Sequence, residues 1–210
     1  MKITPKIALE VIQHEGFVRE AYKDSKGIWT WGFGVTSRSG HDVERYRGKP
    51  QSVERCVEIY LWLLQKYLDD VAKAFHPKEL TEDQAAAALS FHWNTGAIGK
   101  ASWVRRWKAG DIAGARTAFM WYRKPKEIIG RRRKERDLFF GNRKLDPSEH
   151  CILYRRVTRS GRPVEGTSFR IGPVVRDHWS LTPVPEDKQK PTPKPGFWQS
   201  VISALARMFK

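Results

Sequence analysis

The chain predicts an α+β fold, and three stretches carry that prediction. Residues 20–37 alternate aromatic and β-branched residues with glycine in G-I-W-T-W-G-F-G-V-T, the pattern of a short hairpin or small sheet. Residues 52–75 place Val53, Val57, Tyr60, Leu61, Leu64, Leu68, Val71 and Phe75 on one helical stripe. The run Ala85–Leu89 through Phe91 and Trp93 has little polar surface, as a helix buried at the centre of a domain would.

The elements follow in order. Thr4 suits a helix cap, Pro5 the first helical position, and Ile7, Ala8, Val11 and Ile12 share a face, so a first helix is expected over 4–14. Residues 38–50 are polar and broken by Gly and Pro, which reads as loop. Ser52 opens the long helix and Pro77 ends it; Thr81 and Gln84 then form a capping-box pair. Three shorter helices are expected over 102–108, 111–122 and 130–140, with Gly110 and Gly141 at helix ends.

Periodicity weakens after about Asn142. The sequence divides into a main domain over 1–145, an extension over 146–182 with room for a hairpin around Ser160–Gly161, a Pro/Lys linker over 183–196, and an amphipathic helix over 197–210. Phe197, Trp198, Ile202, Leu205 and Phe209 lie on the apolar stripe of that last segment, close to Lys188, Lys190, Lys194, Arg207 and Lys210. A helix of this kind either packs on its own domain or inserts into a membrane interface; the linker argues for reach, and anionic lipid is the expected partner.

The net charge is +16 over 210 residues, and 11 Lys/Arg against 6 Asp/Glu in 146–210 leave most of the excess in the main domain. Such a field attracts polyanions, whether nucleic acid, anionic lipid or an anionic cell wall. No nucleic-acid motif accompanies the charge, and nucleic acid is not expected as a partner. Two cysteines, Cys56 and Cys151, make no disulfide framework and are expected to be ordinary thiols. No metal-ligand spacing occurs among the six His, and no metal or organic cofactor is expected. No apolar run is long enough for a signal peptide or a membrane span, which implies synthesis in a cytoplasm and help in leaving it.

Chemistry concentrates between His14 and Gly34. Glu15 is followed by Asp24 after eight residues and by Thr30 after five more. Glycosidic cleavage usually needs two carboxyls in different surroundings, one protonated to serve the leaving oxygen and one ionised. Glu15 lies at a helix end beside apolar Phe17 and Val18, where desolvation would favour the protonated form, while Asp24 belongs to a polar hairpin. Taken alone, a Glu and an Asp at this spacing are more often solvated surface charges.

The setting is more specific than the spacing. The segment E-G-F-x-x-x-A-Y-x-D, with Thr30 and then Gly32-Phe33-Gly34, resembles the catalytic segment of the phage-type lysozymes of glycoside hydrolase family 24. T-E-D-Q-A-A-A-A-L-S-F-H-W-N-T-G over 81–96 is similar to that family's central helix and its Asn-x-Gly end, and G-R-R-R-K-E-R-D-L-F-F-G over 130–141 to its C-terminal helix. Three ordered segments cover residues 3–145. The resemblance implies a small β-hairpin lobe and a mostly helical lobe joined by the long helix, with a glycan cleft between them. It implies Glu15 as general acid, Asp24 as the carboxylate serving the attacking water or developing positive charge, and Thr30 as the residue that positions the water. Gly32, Phe33, Asn94 and Arg132 become candidates for substrate binding. Val35 stands where the family often has His, and Val18 where it often has Arg.

The implied function is an endolysin: a muramidase acting as a monomer on bacterial peptidoglycan at the β-1,4 bond between N-acetylmuramic acid and N-acetylglucosamine, reaching the wall through a holin. The alternatives are a lytic transglycosylase, which needs one acid and no second carboxylate, and a membrane-active binder working through its basic tail. Trp29 and Trp31 flank Thr30 and suit either sugar stacking or packing of the small lobe. The run Arg131, Arg132, Arg133, Lys134 and Arg136 reads as a solvated helix face or a contact with the anionic wall.

Overall fold

A computed structural model describes residues 1–180; the expected linker and the lipid-binding helix with Phe197, Trp198, Ile202, Leu205 and Phe209 lie outside the described residues. Helix α1 spans Pro5–Ile12, with the Thr4 side chain accepting from the Ile7 amide. Such a cap satisfies one orphan donor and is worth about 1 kcal/mol. The chain then turns through Gln13–Glu15 and enters strand β1, Gly16–Lys23. The strand therefore begins before residue 20, because Phe17, Val18 and Ala21 are core residues. Strands β2 (Trp29–Gly32) and β3 (Val35–Thr36) complete the expected hairpin.

Helix α2, Val53–Phe75, carries the long apolar stripe, and Ser52 caps it through the Arg55 amide. Helix α3, Glu82–Thr95, shows the complete Thr81–Gln84 capping box and buries every residue from Ala85 to His92. Four small alanines in succession let neighbouring helices approach it closely from all sides. Helices α4 (Ser102–Lys108), α5 (Ile112–Phe119) and α6 (Ile129–Phe139) surround it. Trp103 links them: it is fully buried and meets the rings of Phe75, Phe91, Phe119 and Phe139.

The extension departs from the hairpin-lobe picture. Strands β4 (His150–Val157) and β5 (Pro163–Arg170) form a hairpin whose turn includes Ser160–Gly161, and a short helix α7, Gly172–His178, follows. This hairpin joins the small sheet, whose order is β3-β2-β1-β4-β5. β1 pairs antiparallel with β2 but parallel with β4, with Gly16 opposite Ile152 and Val18 opposite Tyr154. Cys151, Ile171 and Val175 enter the same core as α1, α2 and α3. The boundary expected at 145 thus does not interrupt the packing. β5 is mostly exposed and lacks an apolar alternation, so its sequence gave little sign of a strand.

Cys56 and Cys151 are both buried and unbonded, and burial pushes each thiol up to about 12. No helix among the described residues is long and apolar enough to cross a membrane.

Candidate active site

Glu15 sits in the turn between α1 and β1, where sheet and helices meet. Its side chain is 18% exposed. Oε1 accepts from Arg131 Nη1 at 2.6 Å, an ion pair between the first turn and α6. Arg131 is itself only 8% exposed and is held on every side: Nε donates to Glu135 Oε1 at 2.8 Å, and Nη2 to the Ser90 carbonyl and hydroxyl at 3.0 and 3.2 Å. A guanidinium fork committed to four acceptors is fixed in orientation, and it fixes Glu15 in turn.

The other Glu15 oxygen faces the β2–β3 turn. A Cβ on Gly34 would stand 3.0 Å from Oε2, and Gly34 has φ +82°, so only glycine allows the turn this close approach. The Trp93 indole donates to the Phe33 carbonyl at 3.2 Å, tying α3 to the same turn.

Asp24 begins the β1–β2 connection. Its Oδ1 accepts from the Lys26 and Ile28 amides, each at 2.8 Å, which holds the turn and the carboxylate together. Oδ2 has no hydrogen-bond partner among the described residues. Thr30 lies in β2 opposite Tyr22 and is 3% exposed. Its hydroxyl donates to the Ile28 carbonyl at 3.1 Å, which leaves its lone pairs as acceptors. Tyr22 connects these groups. Burial, and then the electrostatic influence of Glu15, Asp24 and Tyr154, hold its phenol well above the usual tyrosine range.

Two substrate-binding candidates are corrected. Arg132 is fully buried: Nε donates to the Tyr122 carbonyl, Nη1 pairs with Glu135, Nη2 donates to Asn94 Oδ1, and the guanidinium stacks over Phe91 at 4.7 Å. Its neighbour Arg131, one helical residue earlier, reaches Glu15 instead. Helical periodicity turns adjacent residues about 100° apart, and the apolar face chose between them. The Phe33 side chain is likewise fully buried, stacked on Phe17 at 4.3 Å and against Tyr60; only its backbone borders the site. Gly32, at φ +62°, is buried in the same turn. Asn94 is exposed in the last turn of α3, its carbonyl oxygen occupied by Arg132. The basic run is accordingly not one solvated face: Arg133 and Lys134 are exposed, whereas Arg131 and Arg132 neutralise Glu15 and Glu135 inside.

Trp31 packs the small lobe, fully buried against Tyr46, and donates its indole N–H to the Arg19 carbonyl. Trp29 is half-buried beneath the Arg47 guanidinium. The sequence reading missed Glu135 and Ser90. The one available signal was the Arg131–Glu135 spacing, four residues apart on a helix.

The sequence profile of the phage lysozyme family matches residues 12–136, a span that includes Glu15, Asp24, Thr30 and Arg131. No curated protein matches the chain. Among solved structures, the endolysin from Escherichia coli O157:H7 phage FAHEc1 is 26% identical with a TM-score of 0.60, covering 70% of this chain and 98% of that one. A variant of P22 lysozyme is 28% identical with a TM-score of 0.52, covering 66% and 98%. The muramidase domain of SpmX from Asticaccaulis excentricus, at 23% identity and a TM-score of 0.56, shares the fold over 66% and 97%. With the profile covering more than half its length, the chain belongs to the phage lysozyme family and is a peptidoglycan hydrolase.

Proposed function

We propose that the enzyme is a muramidase cutting the β-1,4 bond between N-acetylmuramic acid and N-acetylglucosamine, with Glu15 as general acid, Asp24 as the ionised carboxylate and Thr30 as the residue that positions water. The observation that carries this reading is the fixed placement of Glu15, with one oxygen on Arg131 and the other turned toward the Gly34 backbone.

Protonated Glu15 gives its proton to the glycosidic oxygen as the bond from that oxygen to C1 breaks. Arg131 then faces a carboxylate in place of a neutral acid, and this favours the state reached after proton transfer. Asp24 serves as the ionised carboxylate, its Oδ2 open to accept from a water or to face positive charge at C1. Thr30 accepts a hydrogen bond from that water, because its own hydroxyl proton is committed to the Ile28 carbonyl. Water supplies hydroxyl to C1 and gives its proton to the Asp24 carboxylate, and exchange with solvent returns Asp24 to the ionised form and Glu15 to the acid form. Gly32 and Asn94 are assigned to the glycan, through backbone and amide groups. Passage to the wall falls to a separate release protein of the holin kind.

The test compares wild type with Glu15→Gln on purified peptidoglycan, following reducing ends and product masses. Wild type should release reducing ends, and the variant should fall by about 10²-fold or more. Anhydro products would assign a transglycosylase instead, and equal activity of the two proteins would remove Glu15 from the role.

A further inference from the structure

The β4–β5 hairpin lies beyond residue 136, where the family profile ends, yet it pairs directly with the strand that follows Glu15. β1 has β2 and Thr30 on one side and β4 on the other. The residue after the acid, Gly16, is the first of three β1 residues in register with β4, opposite Ile152.

Side chains alternate along β4. Cys151 is buried and Leu153 packs on the core, so Ile152 and Tyr154 point to the opposite face. There the Tyr154 ring spans two glycines. A Cβ on Gly16, in β1, would stand 2.9 Å from Cε2, and one on Gly166, in β5, would stand 3.0 Å from Cε1. The two edges of one ring therefore reach both neighbouring strands, and the ring lies over the sheet instead of standing up from it. Side chains at either position would push it away. Ile152 borders the ring and is 46% exposed, unusual for a large apolar residue beside a reaction site. Glu165, next to Gly166, holds φ +60° without being glycine, a backbone strain of the kind found beside binding sites. Tyr154 also shares with Glu15 and Asp24 an electrostatic influence on the Tyr22 phenol, which places it in the same neighbourhood.

We propose that this hairpin adds a sugar-binding subsite to the glycan cleft, in which the Tyr154 ring stacks on a pyranose of the peptidoglycan strand and Ile152 packs against its edge. A flat, half-buried aromatic offers a C–H-rich sugar face the apolar contact it needs, while the phenol O–H, which has no hydrogen-bond partner among the described residues, is available to a ring substituent. The substrate is a polymer that continues past the scissile bond, and the sheet face continues from Thr30 through Tyr22 and Gly16 to Tyr154. The inference rests on Glu15 marking the scissile bond.

Steady-state hydrolysis of peptide-free glycan strands by the full chain separates the possibilities. Tyr154→Ala should raise KM about tenfold with kcat within about twofold, as loss of binding common to ground and transition states does. Tyr154→Phe should restore KM, since stacking survives. Ile152→Ser, at an exposed position that costs the fold little, should raise KM by about threefold and serves if Tyr154→Ala does not fold. Strand binding in the Glu15→Gln background should weaken in parallel, whatever role Glu15 has in the chemistry. Unchanged KM and binding in Tyr154→Ala or Ile152→Ser would overturn the subsite while leaving the acid assignment intact. So would a loss confined to peptide-bearing strands, which would point to the wall peptide.

Discussion

Arg131 donates to Glu15 at 2.6 Å although 116 residues separate them in the chain. The same guanidinium holds Glu135 and Ser90, so Glu15 is positioned by the helical lobe rather than by the sheet it precedes. Arg131→Lys keeps the charge but loses the fork. Hydrolysis should fall by about 10- to 100-fold, and stability by about 2–3 kcal/mol because buried acceptors lose their donors. Reducing-end release and urea unfolding check both. A variant whose urea midpoint falls while its rate holds would make Arg131 purely structural.

Arg132→Met should behave differently. The residue is fully buried and paired with Glu135, so its loss strips a partner from a buried carboxylate and should cost about 3–5 kcal/mol. KM for glycan should stay near wild type in whatever fraction folds. A raised KM at unchanged stability would return Arg132 to the substrate.

Gly34→Ala tests the close approach of the β2–β3 turn. The left-handed backbone should cost about 1–2 kcal/mol. A methyl 3.0 Å from Glu15 Oε2 should also displace the carboxylate and lower kcat more than it raises KM. Retention of full kcat would show that the turn does not set the position of Glu15.

Glu10 predicts an acid limit. It is fully buried in α1. Burial raises its pKa, but His14 and the two Arg143 contacts at 2.8 and 2.7 Å outweigh burial and leave it below the ordinary 4.5. A lowered folded-state value means the unfolded chain binds the proton more readily. The stabilisation is therefore complete above about 4.5 and is lost as pH falls through the folded value. Thermal unfolding between pH 3 and 7 should show this loss, and Glu10→Gln should flatten it. An unchanged slope in the variant would place the acid limit elsewhere.

Both thiols should resist modification in the folded enzyme. Burial pushes Cys56 and Cys151 to about 12, so little thiolate exists near neutral pH. A thiol reagent should label two groups in denaturant and none without it; rapid native labelling would mean that the core opens locally.

The helices and their caps were legible because each signal is local. Thr4, Ser52 and Thr81 accept from the amides three residues on, as their spacing implied, and the apolar stripe of 52–75 became the buried face of α2. Arg131 and Arg132 were not separable by eye. Both belong to a basic run, and only the packing of α6 against α3 decides which guanidinium reaches Glu15 and which goes into the core. The β4–β5 hairpin was weakly legible, since one strand alternates over two core residues and the other hardly at all.

The sequence by itself determined the element order, the carboxyl pair with its threonine, and the family to which they belong, because these depend on residue type and short spacing. Tertiary structure alone decided that Arg131 holds Glu15, that Phe33 turns inward, and that Tyr154 lies beside Gly16. Each of these joins segments distant in the chain, and their meeting depends on which apolar faces pack together, a property that no local pattern contains.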